Sequence, residues 1–219
     1  MIKKIKDAIG SMIEAEDTSA GKTQKIVILD PATIGSEGGH DGPAELRAIG
    51  LFSDVDEEKV AELVQSLLFL DLSNAEKEEK ERDPIDFYIS TYGGSADDMF
   101  ALYDIMRQVR ESTEIHTYGV GKVMSAGVLV LAAGTKGKRK IGKNCRVMIH
   151  SVIGGNHGSL HNLVNEMGAI EQLQQMYTDC LVSETKMTKT TLKNMLERKV
   201  NVYLSAEEAV ELGIADIII

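Results

Sequence analysis

The sequence predicts an α/β protein with a largely parallel sheet that is covered by helices. Short apolar segments with strand character alternate with segments in which apolar residues recur at helical spacing. Strand segments repeatedly lead through a loop into a helix, the order that a parallel sheet requires. Apolar residues make up 43% of the 219 residues, which is enough for one hydrophobic core.

The predicted elements divide the chain into a short N-terminal part and one domain. Residues 1–16 are predicted to form an amphipathic helix because their isoleucines fall at helical spacing. Residues 17–24 form a polar linker, and the domain is expected to span residues 25–219. In this domain we predict strands at residues 25–29, 48–52, 85–90, 114–120, 138–142, 145–150 and 215–219. We predict helices at residues 54–71, 95–109, 159–183, 188–197 and 206–213, and a further helix that begins near residue 125. Residues 30–45 are predicted to form a flexible loop.

Side-chain patterns support the helix boundaries and one buried face. Ser95 and Asp98, and later Ser205 and Glu208, have the spacing of a capping box at a helix start. The helix at residues 54–71 carries apolar residues at intervals of three and four. Its predicted buried positions are Val60, Leu63, Val64, Leu67 and Leu68.

Charge and composition exclude several classes of partner. The net charge is −10, so the chain has little electrostatic attraction for nucleic acid or an anionic membrane. No apolar segment reaches the ~18 residues of a membrane span, and we expect no signal peptide because the N-terminal segment lacks a continuous apolar region. Cys145 and Cys180 are expected to be free thiols in a reducing compartment. We therefore expect a cytoplasmic protein.

Ser125 places one hydroxyl in an apolar segment at a predicted strand-to-helix junction. A hydroxyl without a partner in such a setting costs roughly 2–7 kcal/mol, so the residue has either a backbone partner or a catalytic role. The first N–H groups of a helix have no partner within the helix. The N–H of Ala126 can therefore face a developing oxyanion, and Gly94, on a tight turn, offers a second N–H.

Five histidines are candidates for a general base. His150 ends a strand, where an α/β sheet presents its site residues. His157 and His161 are four residues apart and resemble a metal pair, but no third ligand is near them in the sequence, which favours a solvated helix face. Spacing alone leaves two hypotheses open, a catalytic pair of Ser125 and His150 or a helix-capping serine and a hydrogen-bonded core histidine.

Three segments resemble the proteolytic subunit of the Clp protease, the ClpP family. They are "FYISTYGGSADDMFALYDIMRQV", "GVGKVMSAGVLVLAAGTKGKRKIGKNCRVMIH" and "YLSAEEAVELGIADII". These motifs follow one another in the family's order, and the gap of 25 residues from the serine to the histidine is also the family's. The resemblance runs from about Ala48 to the C-terminus, some four-fifths of the chain.

The resemblance implies a ClpP/crotonase-type fold, a spiral of β-β-α units with a protruding handle helix at about residues 152–186. It implies a serine endopeptidase without metal or cofactor, in which Ser125 is the nucleophile and His150 the general base. The N–H groups of Gly94 and Ala126 would form the oxyanion hole. The implied substrate-binding residues are Gly93, Met124, Ser151, Gly154 and Gly155.

The family also implies an assembly and its partners. Polypeptide substrates would enter a chamber built from one or two homo-oligomeric heptameric rings, the second case being a tetradecamer. The handle helix would join the two rings, and an AAA+ unfoldase would deliver the substrate. Apolar residues recur along the predicted handle, so we expect it to be covered in an oligomer.

The chain departs from the family pattern at several positions. Asn201 stands where the family has the aspartate of the triad, and an amide lacks the charge that stabilises a forming imidazolium. If Asn201 does not orient the histidine, Asp179 and Glu197 are the next candidates. Tyr92 replaces a proline beside the glycine turn, and Asp86 replaces an apolar residue on the strand face that binds the unfoldase. Residues 1–47 are unlike the family.

Four functional hypotheses follow, and the first is the leading one. A self-compartmentalised, ATP-dependent-type serine endopeptidase would degrade unfolded polypeptides, with Ser125, His150 and Asn201 as its catalytic residues. The alternative, motivated by Asn201, is a weakly active or non-catalytic ring subunit that assembles with or modulates an active paralogue. A crotonase-like acyl-CoA enzyme and a Ser-Lys peptidase that uses Lys122 or Lys136 are less consistent with the motifs.

Overall fold

The computed structural model describes residues 46–155, 157–197 and 200–219. The predicted N-terminal helix, the linker, the strand at 25–29, the loop at 30–45 and the domain boundary at residue 24 lie outside the described residues. Arg47–Ile219 forms one compact unit.

Seven strands of the described residues form one sheet. They are β1 (Ala48–Leu51), β2 (Ile85–Thr91), β3 (Ile115–Met124), β4 (Lys140–Ile141), β5 (Arg146–Ile149), β6 (Val202–Leu204) and β7 (Ile217–Ile218). The order β1-β2-β3-β4-β7 is parallel throughout, and β5 also pairs with β3 in parallel. Only the β5–β6 pair is antiparallel among these strands. The predicted parallel α/β architecture is therefore confirmed.

Six α-helices of the described residues follow or connect these strands. They are α1 (Glu57–Leu72), α2 (Ala96–Val109), α3 (Ala126–Ala132), α4 (Leu160–Glu184), α5 (Lys189–Leu196) and α6 (Ala206–Glu211). A short 3-10 turn, Glu79–Glu81, precedes β2. Each helix lies where the sequence predicted one, with ends that differ by a few residues.

β3 is longer than predicted and continues to Met124. The strand was predicted to end at residue 120, but the chain stays in the strand through Gly121, which has a φ of 68°. Beyond this glycine Lys122, Val123 and Met124 pair with β5. The second partner strand keeps the chain extended up to the serine, so β3 delivers Ser125 directly into α3.

The buried face of α1 differs from the predicted one at one position. Val60, Leu63 and Leu67 are buried as predicted and Val64 is half-buried against the core, but Leu68 is 40% exposed and Leu70 is buried in its place. The core side of the helix thus follows residues 60, 63, 67 and 70, a single helical stripe. The prediction for Leu68 was wrong because the sequence allowed two adjacent stripes, and only the sheet selects between them.

Helix caps fix the helix starts that lie beside the sheet. The Ser95 hydroxyl accepts a hydrogen bond of 3.3 Å from the N–H of Asp98, which is one half of the predicted capping box. Both halves are present between Ser205 and Glu208. These caps satisfy N–H groups that a helix leaves unpaired, and the Ser95 cap ends the glycine turn beside the candidate site.

The long helix α4 has two different halves. Its first half exposes Leu160, Val164 and Met167, each more than half accessible. Its last turns bury Tyr177, Leu181 and Glu184 and pack against α3. The second half therefore belongs to the core below the candidate site, while the first half presents apolar side chains to solvent.

Candidate active site

Ser125 lies between the end of β3 and the start of α3. Its φ of 54° and ψ of −121° make it the one non-glycine residue with positive φ in the described part of the chain. Such a conformation costs about 1–3 kcal/mol and persists only where the surroundings enforce it. Two contacts hold the backbone: the Ser125 N–H donates to the Met148 carbonyl at 2.8 Å, and the Tyr177 hydroxyl donates to the Ser125 carbonyl at 3.1 Å.

The Ser125 side chain does not cap the helix that it precedes. Its hydroxyl makes no capping hydrogen bond to α3, and all seven residues of that helix are buried. A sharp turn between a strand and a buried helix is also the setting in which other hydrolases present a nucleophilic serine. The strain and the uncommitted hydroxyl together favour a catalytic role.

The glycine turn that follows β2 faces Ser125. Gly93 and Gly94 have φ values of 104° and 155°, which other residues rarely adopt. Val55 fixes the turn from outside, because its N–H donates to the Gly93 carbonyl and its carbonyl accepts from the Ser95 N–H, both at 2.8 Å. In this parallel bridge the N–H of Gly94 points away from Val55.

Two backbone N–H groups remain available at the site. Within the described residues neither the Gly94 N–H nor the Ala126 N–H has a hydrogen-bond partner, as expected for a strained turn and for the first residue of a helix. The Gly93 N–H is different, since it donates to the Thr91 hydroxyl at 3.0 Å. The predicted oxyanion hole thus has both of its donors free, whereas Gly93 offers close packing and no free donor.

His150 directly follows β5. Its Nδ1 lies 2.5 Å from the carbonyl oxygen of Ser151, and because a carbonyl only accepts, Nδ1 carries the proton. In the neutral ring Nε2 then holds the lone pair, which is the form that a general base needs. The imidazole is therefore oriented by a backbone carbonyl of the next residue.

One cavity of about 340 Å³ brings together the predicted nucleophile, general base and oxyanion-hole residues, but Asn201 does not line it. Ser125, Ala126, Gly94 and His150 all line it. No Lys, Arg, Asp or Glu contributes to this lining within the described residues, so the His150 imidazole is accompanied only by apolar and hydroxyl side chains and by backbone. The other lining residues are Tyr92, Ser95, Ala96, Met99, Val152, Ile153 and Tyr177.

Comparison with known proteins identifies the family. A sequence model of the Clp protease family matches residues 44–219. The chain belongs to the Clp protease family. It is 34% identical over 173 residues to ATP-dependent Clp protease proteolytic subunit 1 of Prochlorococcus marinus subsp. pastoris, which covers 79% of this chain and 83% of that protein. The protein of the same name from Prochlorococcus marinus strain MIT 9312 is also 34% identical over 173 residues, 79% of this chain and 84% of the relative.

Membership in the Clp protease family confirms the resemblance that the motifs indicated, together with the ClpP-type α/β fold. It places the chain among ClpP-type peptidases. The matched residues include every described element of the compact unit. The departures from the family pattern can now be located in the structure.

Asn201, the departure at the third catalytic position, lies at the start of β6. The antiparallel register pairs Ile149 with Val202, so the next step along both strands brings Asn201 level with His150. Asn201 is exposed, and among the described residues no hydrogen bond joins it to His150. The Ser151 carbonyl is instead the hydrogen-bond partner of Nδ1. Asn201 therefore lies near the histidine, but its side chain makes no hydrogen bond to the imidazole.

The other acidic candidates are engaged elsewhere. Asp179 pairs with Lys189 at 2.6 Å and accepts a hydrogen bond from Gln175 at 2.9 Å. Glu197 lies 3.6 Å from Lys193 on the surface of α5. Neither lines the cavity that contains His150. The described residues therefore place no carboxylate in that cavity wall.

The two lysines of the Ser-Lys hypothesis also have other contacts. The Lys122 ammonium lies 4.6 Å from the ring centre of Tyr92, and Lys136 donates to the Ser183 carbonyl at 3.0 Å. Neither lines the cavity of Ser125.

Tyr92, which replaces the family's proline, is 66% exposed at the cavity edge. The glycine turn beside it keeps its bridge to Val55.

The remaining predicted substrate-binding residues surround the catalytic pair. Met124 is buried at the end of β3 and pairs with Met148. Ser151 contributes its carbonyl to His150. Gly154 and Gly155 are exposed in the segment between β5 and α4, outside any strand. Their exposed backbone is compatible with the predicted pairing to an extended peptide.

Asp86 lies on a polar and aromatic part of the sheet. The Tyr118 hydroxyl donates to its carboxylate at 2.9 Å, and the rings of Tyr88 and Tyr118 stack with their centres 4.6 Å apart. His116 lies 3.6 Å from the same carboxylate. The acidic residue is thus held by neighbours on the adjacent strand.

Two contacts of α4 were missed by sequence reasoning. Tyr177 reaches the Ser125 carbonyl, and Gln174 accepts a hydrogen bond of 2.7 Å from the Val152 N–H. The available signal was weak: Tyr177 is the one tyrosine of this helix, but Gln174 is one of three neighbouring glutamines among many polar residues. Within the described residues no group of three His, Cys, Asp or Glu side chains suits a metal ion, and no helix is long and apolar enough to cross a membrane.

Proposed function

We propose that this protein is a self-compartmentalised serine endopeptidase that cleaves unfolded polypeptides, with Ser125 as nucleophile and His150 as general base. The observation that carries the proposal is Ser125, whose backbone is strained and whose hydroxyl makes no capping hydrogen bond. It shares one cavity with His150, Gly94 and Ala126, and the last two have free N–H groups. Family membership supports the same activity.

The geometry suggests a two-stage acyl transfer. Nε2 of His150 takes the proton from the Ser125 hydroxyl as its oxygen attacks the scissile carbonyl. The N–H groups of Gly94 and Ala126 stabilise the oxyanion, and the protonated imidazole then gives its proton to the leaving amine. Water attacks the acyl-enzyme in the second stage, with His150 again taking the proton, and the Ser125 hydroxyl is restored.

The chamber is the second part of the proposal. Leu160, Val164 and Met167 expose a continuous apolar stripe on α4, which supports burial of this helix in a heptameric or tetradecameric ring assembly. The names of the two relatives include ATP-dependent proteolysis, and we extend this to delivery of substrates by an AAA+ unfoldase.

The unpaired Cys145 and Cys180 support a cytoplasmic location.

An alternative function follows from Asn201. A ring subunit with low or no activity, which assembles with or modulates an active paralogue, would tolerate the loss of the family's carboxylate. The missing contact between Asn201 and His150 favours this alternative, whereas the uncommitted Ser125 hydroxyl favours the active enzyme.

Labelling with a fluorophosphonate tests both functions. We expect the probe to modify Ser125 in the purified protein, with the modified residue located by mass spectrometry. Ser125→Ala should remove the label, and Ser205→Ala, which removes a hydroxyl at another helix start, should not. Unlabelled Ser125 in a folded oligomer that hydrolyses no peptide would contradict the enzyme and support the non-catalytic ring subunit.

A further inference from the structure

We propose that Tyr177 is a positioning residue that aims the Ala126 N–H at the oxyanion by holding the Ser125 carbonyl. The inference rests on the proposed serine peptidase function and adds a residue to its machinery. Tyr177 lies near the base of α4, 52 residues from the serine in sequence, and is 5% exposed.

The hydrogen bond has a defined direction. The Tyr177 hydroxyl lies 3.1 Å from the Ser125 carbonyl oxygen, which accepts and cannot donate. Burial raises the pKa of Tyr177 above its ordinary value of 10.0, so the hydroxyl stays protonated and remains a donor. The same carbonyl also accepts from the Val128 N–H at 3.0 Å in the first turn of α3.

The planarity of the peptide bond links this carbonyl to the oxyanion hole. The carbonyl of Ser125 and the N–H of Ala126 belong to one rigid peptide group and point in opposite directions. Tyr177 and Val128 fix the direction of the carbonyl, so the N–H of Ala126, which lines the cavity, must point the opposite way. Rotation of this peptide group would turn the N–H away from the substrate.

The conformation of Ser125 explains why an extra donor is needed. The combination of a φ of 54° with a ψ of −121° is unfavourable for serine. Rotation of the Ser125–Ala126 peptide group changes this ψ and is a route by which the strain could relax. One helical turn before Tyr177, Gln174 accepts from the Val152 N–H at 2.7 Å. The lower part of α4 thus fixes the backbone on both sides of the site, next to Ser125 and just after His150.

Tyr177→Phe tests the inference because it removes the hydroxyl and keeps the ring. We expect kcat for a peptide substrate to fall about 10- to 100-fold with little change in KM. The affinity of a peptide boronate, whose tetrahedral adduct on serine uses the oxyanion hole, should fall by a similar factor. Tyr103→Phe is the matched control, since it removes another buried hydroxyl, which donates to Glu184 at 3.0 Å and lies outside the cavity; it should change neither value.

A crystal structure of Tyr177→Phe gives a readout that does not depend on activity. We expect the Ser125–Ala126 peptide group to rotate, with a change of the ψ of Ser125 away from −121°. An unchanged peptide group, or unchanged kcat and boronate affinity, would overturn the positioning role. If the wild-type protein is inert toward the fluorophosphonate, the serine peptidase proposal fails, and the crystal structure alone then decides whether Tyr177 holds the peptide group.

Discussion

Gly93 packs directly against Ser125. A Cβ atom placed on Gly93 would lie 2.6 Å from the Cβ of Ser125 and 3.1 Å from the Ala126 nitrogen. The backbones of two segments that are 32 residues apart in sequence therefore pack closely together. The absence of a side chain on Gly93 makes this close approach possible. The contact sets the spacing between the glycine turn and the nucleophile.

Gly93→Ala is expected to abolish most of the peptidase activity. The added methyl group must displace Ser125 or the turn, so kcat/KM should fall at least about 100-fold. The positive φ adds about 1–3 kcal/mol of destabilisation. Gly137→Ala is the matched control, because Gly137 has a φ of 85° but a Cβ there meets nothing within 4 Å. It should lower the free energy of unfolding and leave kcat/KM unchanged; equal activity losses in both variants would contradict the packing argument.

Glu184→Gln should destabilise the protein through a buried ion pair. Glu184 is 3% exposed, receives two hydrogen bonds from Arg110 at 2.6 and 3.0 Å, and accepts a third from Tyr103. Removing its charge leaves the Arg110 cation without its partner, which costs about 3 kcal/mol. Urea denaturation at pH 7 measures this loss. Glu62→Gln, in the more exposed pair with Lys59 at 3.0 Å, should cost less than about 1 kcal/mol.

The same pair predicts a pH dependence of stability. Burial opposes ionisation of Glu184, but the hydrogen bonds and charge of Arg110 outweigh burial and lower the pKa below its ordinary value of 4.5. Because the pKa of Glu184 is lower in the folded than in the unfolded state, its ionisation stabilises the folded protein. This stabilisation is complete above the pKa of the unfolded state and is lost as the pH falls through the pKa of the folded state. Wild type should therefore lose stability on acidification below about pH 4.5, by a larger amount than Glu184→Gln. Parallel losses in both proteins would show that Glu184 is not responsible.

Met167→Glu should disrupt the expected assembly. Met167 is 63% exposed on the apolar stripe of α4, and a carboxylate buried at a contact between subunits would lack a partner. Light scattering should give a heptamer or tetradecamer for wild type and a smaller species for the variant. Gln172→Glu adds the same charge at an exposed polar position of the helix and should leave the assembly intact. A wild-type monomer at micromolar concentration would contradict the chamber.

The sequence predicted the parts of the site that local patterns encode. Ser125 and His150 were candidates because each was predicted to end a strand or to follow one directly, and the resemblance to the family selected them; the glycine turn was predicted because glycine pairs mark tight turns. The contact from Tyr177 to Ser125 was missed because helical spacing does not reveal which strand-to-helix junction a side chain will reach. The Ser151 carbonyl was missed for a different reason, since a backbone acceptor has no side-chain signature. Leu68 was wrongly predicted to be buried because helical spacing allows two adjacent apolar stripes on α1. Packing against the sheet, which the sequence does not reveal, decides which stripe is buried.

Asn201→Asp provides the sharpest test of the third catalytic position. The register brings residue 201 level with His150, so a carboxylate there can stabilise the imidazolium that forms during catalysis, a role that the Ser151 carbonyl fills without a full charge. Peptide hydrolysis should rise at least ~10-fold, out of the roughly 10⁴-fold that such a carboxylate can supply. The rates are measured with wild type and with Asn201→Ala as the control that removes the amide.

Three outcomes separate the roles of the two candidate partners of His150. A gain with Asp and no loss with Ala means that the Ser151 carbonyl orients the ring in the natural protein and that only the charge is missing. A gain with Asp and a loss with Ala means that the Asn201 amide turns toward His150 during catalysis. If Asn201→Asp changes nothing while wild type cleaves peptides well, residue 201 is not the third catalytic position. Ser125→Ala should abolish hydrolysis in every background, because the Ser125 hydroxyl is the nucleophile in each case.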